Sequence, residues 1–337
     1  MCILCKRRTA VGIYALRQLQ LKRSGRLGPM AVLALGCCGG NLQCYFRITM
    51  GFNQDNLSRS KYVFDKDDLV RLMDIHRRHP WLMYEDPAGL EELWHAADES
   101  PEDKELIEFL LDKFHYVDSD MLRESCKSLV NHIESIWGLS PENTIVSALC
   151  DNNEPDGSQY LVQSMKNKFS EGWKGRLSNS IVASVYEVKN GYNLVLVDDF
   201  IGTGNTVSRK SAWCRKKARD LGVTDLKIYV CSLAAMRSSY KVIEHSAEQI
   251  YSVYWLNKGI SDEAPEEKLA AYTKSMLSLE DSLSWPKRIK KKYTFGYQQS
   301  ESLFSLESIN VPNNVFPIFW WKYGKENESR PTIFRRL

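Results

Sequence analysis

Leu194-Val195-Leu196-Val197-Asp198-Asp199-Phe200-Ile201-Gly202-Thr203-Gly204-Asn205-Thr206 is the stretch on which the reading of this chain turns. Four consecutive apolar residues read as a strand buried on both faces, the pattern of a parallel sheet. Two acids follow, then a short loop with two glycines and two threonines that opens a helix. In parallel sheets, ligands settle beyond the carboxyl ends of the strands. A helix start adds unpaired backbone N–H groups and positive dipole potential, which favour a phosphate. Gly202 and Gly204 let the backbone approach an anion closely. A branched side chain at Gly204 is therefore expected to block the anion while leaving the fold intact. Thr203 and Thr206 offer hydroxyl donors, and Asn205 completes the loop. Asp198 and Asp199 stand where they accept from sugar hydroxyls or hold a hydrated magnesium ion.

Three competing readings of the segment fail on its details. A Walker B strand needs a partner G-x-x-x-x-G-K-[ST] loop, and the chain has none. The dinucleotide fingerprint needs a third glycine, where Val207 stands, and its acid comes after the loop. Helix capping accounts for Asp199 alone, not for two acids followed by Thr-Gly-x-Thr.

Outward from this segment, Thr144–Cys150 reads as a β-rich apolar run and Ser158–Phe169 as a helix. Ile181–Val188 is expected to be a strand, with Asn190-Gly191 as a tight turn. A helix spans roughly Thr206–Leu221 and ends at Gly222. Leu226–Ala235 and Gln249–Leu256 are two more strands. Such alternation implies a mostly parallel sheet flanked by helices, an α/β fold. Residues 62–138 read instead as helices. Leu69, Leu72, Met73 and Ile75 share a face, and Ser100-Pro101-Glu102-Asp103 is a helix start with a capping hydroxyl. Leu106, Ile107, Leu110, Leu111 and Phe114 follow at helical spacing, as do Leu122, Cys126, Leu129, Ile133 and Ile136. The expected organisation is a leader over 1–49, a helical cap over 50–140 and the α/β domain over 141–337.

The net charge of +3 conceals an uneven distribution. Residues 1–50 hold eight Lys/Arg and no acid, so the remainder stands near −5. A mildly acidic body argues against wholesale coating of nucleic acid. Five of the nine cysteines also lie in those first fifty residues. A zinc site from Cys2, Cys5, Cys37, Cys38 and Cys44 has the wrong spacing. An export signal at Met30–Cys38 is short and starts late. With no amphipathic period, residues 1–49 read as a disordered leader, or as sequence upstream of a true start at Met50. The singly scattered Cys126, Cys150, Cys214 and Cys231 read as buried, reduced thiols of a cytoplasmic protein. No apolar run is long enough for a transmembrane helix, so no membrane partner is expected.

The quoted segment resembles the motif of type I phosphoribosyltransferases that binds 5-phosphoribosyl-1-pyrophosphate (PRPP). That family shows an apolar strand, two acids, two mostly apolar residues, a small residue and Thr-Gly-x-Thr. The resemblance implies that Asp198 and Asp199 contact the ribose 2′ and 3′ hydroxyls and that Gly202–Thr206 holds the 5′-phosphate. It also implies a magnesium cofactor. In such enzymes the loop after the first core strand binds pyrophosphate. Here Cys150–Ser158 takes that place, and its Asp156-Gly157-Ser158 is similar to the family's Asp-Ser-Gly in altered order. Gly296-Tyr297, Ser300-Glu301-Ser302-Leu303, Pro312-Asn313-Asn314 and Pro317-Ile318-Phe319-Trp320-Trp321 look like the tail of the phosphoribosyltransferase-like domain of bacterial conflict systems (PRTase-CE). That resemblance, over about residues 100–335, implies a component of anti-phage defence with a protein partner from a defence operon. The activity it implies is transfer at the anomeric carbon of PRPP; a module that senses PRPP or a nucleotide without turnover is the alternative.

Lys287-Arg288-Ile289-Lys290-Lys291-Lys292, flanked by Trp285, Tyr293 and Phe295, reads first as a solvated loop and second as a contact for RNA or single-stranded DNA. Trp320 and Trp321 read as core or interface rather than as a base-stacking pair. His76 and His79 read as surface residues. Nothing in the chain suggests a Ser-His-Asp triad or a Cys-His pair.

Overall fold

A computed structural model describes residues 62–98, 100–150 and 156–336. The chain divides into two compact units, Met1–Asp65 and Lys66–Leu337. The leader over 1–49 and the loop residues 151–155 lie outside the described residues. Among the described residues, every helix and strand belongs to the second unit.

Helices come first. Lys66–Arg78 (α1) buries Leu72 and Ile75 but leaves Met73 exposed, so the apolar face is narrower than expected. Pro87–Ala96 (α2) starts at Asp86, which accepts from the Ala88 amide. Pro101–Lys113 (α3) buries Leu106, Ile107, Leu110 and Leu111. Its Ser100 hydroxyl caps no amide; it donates to Glu102 instead. A short strand, His115–Val117 (β1), leads into Ser119–Asn131 (α4), capped by Asp118. The helix continues as a π-turn over His132–Ile136, with Ile136 exposed, and the chain turns at Gly138 with φ +62. His76 and His79 are half-buried, not surface residues, and His79 meets Asp112 at 2.8 Å.

The period then changes. Thr144–Ala148 (β2), Gly157–Met165 (α5) and Leu177–Ser178 (β3) follow. Ile181–Glu187 (α6) is a helix where a strand was expected. Ser180 accepts from the Ala183 amide, and Ile181, Ser184 and Val185 turn inward at helical spacing, so capping and burial outweigh the β-branched composition. Asn193–Ile201 (β4), Asn205–Asp220 (α7), Lys227–Met236 (β5), Tyr240–Ile243 (α8) and Gln249–Leu256 (β6) complete the α/β part. Glu266–Asp281 (α9), Lys287–Tyr293 (α10) and Phe304–Leu306 (β7) form the tail. The basic run is therefore a helix with no buried residue, not a loop. Trp320 and Trp321 pack inward, donating to the Val315 and Ser284 carbonyls.

Five strands pair in parallel in the order β3-β2-β4-β5-β6, and β1 pairs in parallel with β7. Alternate residues of β4 feed two cores: Val195 and Val197 on one face, Leu194 and Leu196 on the other. Cys126, Cys150, Cys214 and Cys231 are all buried. Chain direction across the sheet reverses at β2, since β3 lies on one side of it and β4 on the other. The carboxyl ends of β2 and β4 flank that reversal, which is where open α/β sheets bind ligands.

Candidate ribose-phosphate site

β4 does not end before the acids. It carries Asp198 and Asp199 within its own length and runs to Ile201. Asp198 lies opposite Ser232 and Phe200 opposite Ala234. From the neighbouring strand end, Asp156 caps α5 by accepting from the Ser158 amide. One carboxylate oxygen from each of Asp156, Asp198 and Asp199 lies within 4.8 Å of the others. Gly157 makes this approach possible, because a Cβ there would land on the Asp199 carboxylate.

Three carboxylates this close cannot all ionise cheaply. Burial, then Asp199 and Asp156, hold the Asp198 carboxyl well above the ordinary range, while Lys210 opposes the shift. Burial and Asp156 raise Asp199 to about 6. Asp199 also accepts hydrogen bonds from Asp198 and from the Phe200 amide. Lys210, on α7, donates to the Leu149 carbonyl at 3.0 Å and so ties the helix to the end of β2.

Stability inherits a pH dependence from these shifts. Both folded pKa values lie above the unfolded value near 3.8. The contribution of these groups is thus full below pH ~4 and is lost as pH rises through about 6 for Asp199 and beyond it for Asp198. Burial lifts Glu280 to about 8, which acts in the same direction. The expected result is a ligand-free melting temperature that falls between pH 4 and pH 7. An Asp198→Asn/Asp199→Asn variant should fall less steeply. Equal slopes for the two proteins, followed by scanning calorimetry, would show that the acids are not under mutual strain.

Gly202–Gly204 joins β4 to α7, whose first two residues, Asn205 and Thr206, complete the expected Gly202–Thr206 loop. Gly204, at φ +79, stands at the helix start and has no side chain to occupy the first-turn amides. The acids do not cap this helix. Thr203 is half-buried, and Asn205 and Thr206 are exposed. The reason for Gly204 differs from expectation. A Cβ there would meet Ile243 Cγ2 at 2.7 Å and the Ser239 carbonyl at 3.2 Å, on the α8 side. Gly204→Val thus strikes packing as well as a left-handed backbone. It is expected to destabilise the protein by about 2–5 kcal/mol. That corresponds to a melting temperature lower by roughly 5–15 °C. An unchanged melting temperature would show that the α8 contact yields without cost.

Tail residues that the motif alone does not point to reach the same loop. Asn205 Nδ2 donates to Gln298 Oε1 at 3.0 Å. A Cβ on Gly202 would overlap the side chain of Asn314. Two lysines of the basic helix α10 have partners on the protein's own surface: Lys290 pairs with Asp281, and Lys292 lies over the rings of Tyr293 and Tyr297. A separate cavity of about 530 Å³, lined by Glu85, Asp86, Asn310 and Arg335 among others, shares no residue with the acid cluster. No helix among the described residues is long and apolar enough to cross a membrane.

The PRTase-CE family model matches residues 97–336. No curated protein matches the sequence. Among solved structures, the chain is similar to the Helicobacter pylori xanthine-guanine-hypoxanthine phosphoribosyltransferase at 17% identity, covering 41% of this chain and 86% of that one, with a TM-score of 0.29. It is also similar to Giardia lamblia APRTase complexed with 9-deazaadenine, at 12% identity over 41% and 80% of the two chains, TM-score 0.28. A third is the Mycobacterium tuberculosis orotate phosphoribosyltransferase in complex with inorganic phosphate, at 13% identity over 47% and 90%, TM-score 0.27.

Proposed function

The chain belongs to the PRTase-CE family, and we propose that this phosphoribosyltransferase-like protein binds PRPP or a related ribose phosphate at Asp198–Thr206. The single observation carrying this reading is the convergence of Asp156, Asp198 and Asp199 beside the Gly202–Thr206 loop at the strand-order reversal. The acids accept from the ribose 2′ and 3′ hydroxyls. The loop amides and the Thr203 and Thr206 hydroxyls hold the 5′-phosphate.

Magnesium fits this donor set. Three hard carboxylate oxygens converging on one point are the chemistry such an ion prefers, and its charge would relieve their repulsion. Bound there by Asp156, Asp198 and Asp199, it would neutralise negative charge on a pyrophosphate group. The protein's own part is positioning: the acids fix the ribose, the loop fixes the phosphate, and the anomeric carbon is left between them. Whichever of the acids is ionised would also favour positive charge developing on the ribose.

In this reading α1–α4 form a cap and residues 141–337 carry the site. The family resemblance supports a role in bacterial anti-phage defence beside an operon partner, in the cytoplasm where PRPP is available. A specific observation favours a second reading, a sensor without turnover. Asp156 places a third carboxylate beside the position expected for pyrophosphate, where the family pattern is altered. RNA or single-stranded DNA at α10 is a weaker adjunct, because Lys290 and Lys292 are engaged within the protein. The experiment is calorimetry with PRPP and magnesium, paired with pyrophosphate release over a panel of bases. Binding with release supports a transferase, and saturable binding without release supports a sensor. No binding of PRPP or of inorganic phosphate would sink both.

A further inference from the structure

The tail segment from Phe295 to Glu301 is held in an unusual backbone. Phe295, Gln298, Gln299 and Glu301 all have φ between +50 and +58, and Gly296 stands at +77. Each non-glycine residue in this left-handed region costs on the order of 1 kcal/mol, and such residues persist only where their surroundings enforce them. The enforcing contacts are here. The buried Glu280 carboxyl accepts from the Phe295 amide at 3.0 Å. The buried Glu301 carboxylate accepts from the Ile260 and Ser261 amides at 3.0 and 2.7 Å. The Glu301 amide returns to the Phe295 carbonyl at 2.8 Å, closing the segment into an arch. Asn314 ties in the far side, since its carbonyl accepts from Ser300 Oγ at 2.9 Å and from the Ser302 amide at 3.1 Å.

This strain is spent beside the phosphate loop. At the crest of the arch Gln298 meets Asn205, the first residue of α7 and the variable position of Thr-Gly-Asn-Thr. Asn314 lies against Gly202, where no side chain fits on the loop. Two tail residues thus meet this junction from outside, one at Gly202 and one at Asn205.

We propose that Gln298 and Asn314 are positioning residues of the phosphate loop, so that the tail arch sets the loop in its anion-binding conformation. This rests on reading Gly202–Thr206 as a phosphate cradle. Gln298 orients Asn205 and the first-turn amides of α7. Asn314 braces Gly202 and keeps the loop from sagging away from β4. The C-terminal signature and the Thr-Gly-Asn-Thr motif are then one device, built from two distant parts of the chain.

Gln298→Gly separates positioning from structure. Glycine accepts φ +53 without strain, so the fold keeps or gains stability while the hydrogen bond to Asn205 is lost. Titration calorimetry with magnesium and PRPP, and separately with inorganic phosphate, should give affinities weaker by roughly three- to tenfold. The melting temperature should be unchanged or higher. Affinity equal to wild type overturns the proposal. A joint fall in affinity and melting temperature also overturns it, because the residue is then only structural. Asn314 has a ligand-independent test. Gly202→Ala should lower the melting temperature, and Gly202→Ala/Asn314→Ala should recover part of the loss, since alanine at 314 removes the three atoms nearest the new methyl. No loss in the single variant, or no recovery in the double, counts against the brace. If wild type binds neither PRPP nor phosphate, the ribose-phosphate reading itself has failed and this proposal with it. Variants that match a binding wild type refute the arch alone.

Discussion

Asp198→Asn/Asp199→Asn is expected to weaken magnesium-dependent PRPP binding by at least about a hundredfold, the loss of two charge-assisted contacts worth roughly 1.5–3 kcal/mol each. The same variant should melt at a higher temperature than wild type without ligand near pH 7. Both effects stem from one arrangement. Asp198 and Asp199 crowd each other and Asp156 in a partly buried site, so removing their charges relieves repulsion. Asparagine keeps the size of the side chain, and neither acid caps α7, so no helix start is lost. The sign of the binding change separates a ribose site from a plain anion site. If the acids had no ligand role, removing two negative charges at ~6 Å from a phosphate would tighten its binding, each charge contributing repulsion of about 3 kcal/mol at an effective dielectric near 20. Dissociation constants for PRPP and inorganic phosphate, with and without magnesium, decide it. Tighter PRPP binding in the variant would sink the ribose reading and the transferase hypothesis together.

The parts of the fold legible in the sequence are those with local causes. Leu194–Val197 reads as buried strand because every residue is apolar, and α7 reads as helix because a glycine-rich turn opens it and Gly222 follows it. Ile181–Glu187 misleads for a local reason too. Its β-branched residues favour a strand, but Ser180 caps it and only a helical spacing buries Ile181, Ser184 and Val185 together. The acid pair and the loop are legible because they are contiguous. Asp156 falls in the expected pyrophosphate loop by its position after β2, but its approach to Asp199 depends on the reversal of strand order, which no local pattern encodes. Gln298 and Asn205 are 93 residues apart, and their contact exists only because the tail folds back onto the start of α7. The motif in the tail is visible in the sequence, whereas its target is not. Gly204 shows the converse: the need for glycine is legible, but the tight direction faces Ile243, not the open side of the loop.

Gly157→Ala is expected to damage the site about as much as losing Asp199 alone, with magnesium-dependent PRPP affinity down by roughly ten- to a hundredfold, from a substitution that should otherwise help the protein. Gly157 is the first residue of α5, and alanine there favours a helix by up to about 1 kcal/mol. No left-handed backbone requires glycine at this position. The obstacle is that the new methyl would occupy the place of the Asp199 carboxylate. Either the carboxylate swings away, losing the Phe200 amide and its closeness to Asp156, or α5 shifts and carries Asp156 with it. Both outcomes scatter the three acids while leaving the Gly202–Thr206 loop alone. Inorganic phosphate, which needs only that loop, should therefore bind the variant as it binds wild type, and the melting temperature should stay within a few degrees. Calorimetry with the two ligands in parallel gives the answer. Equal loss for phosphate and PRPP would mean that the methyl disturbs the whole edge of the sheet, and no loss for either would mean that the three acids do not act as one ligand-binding group.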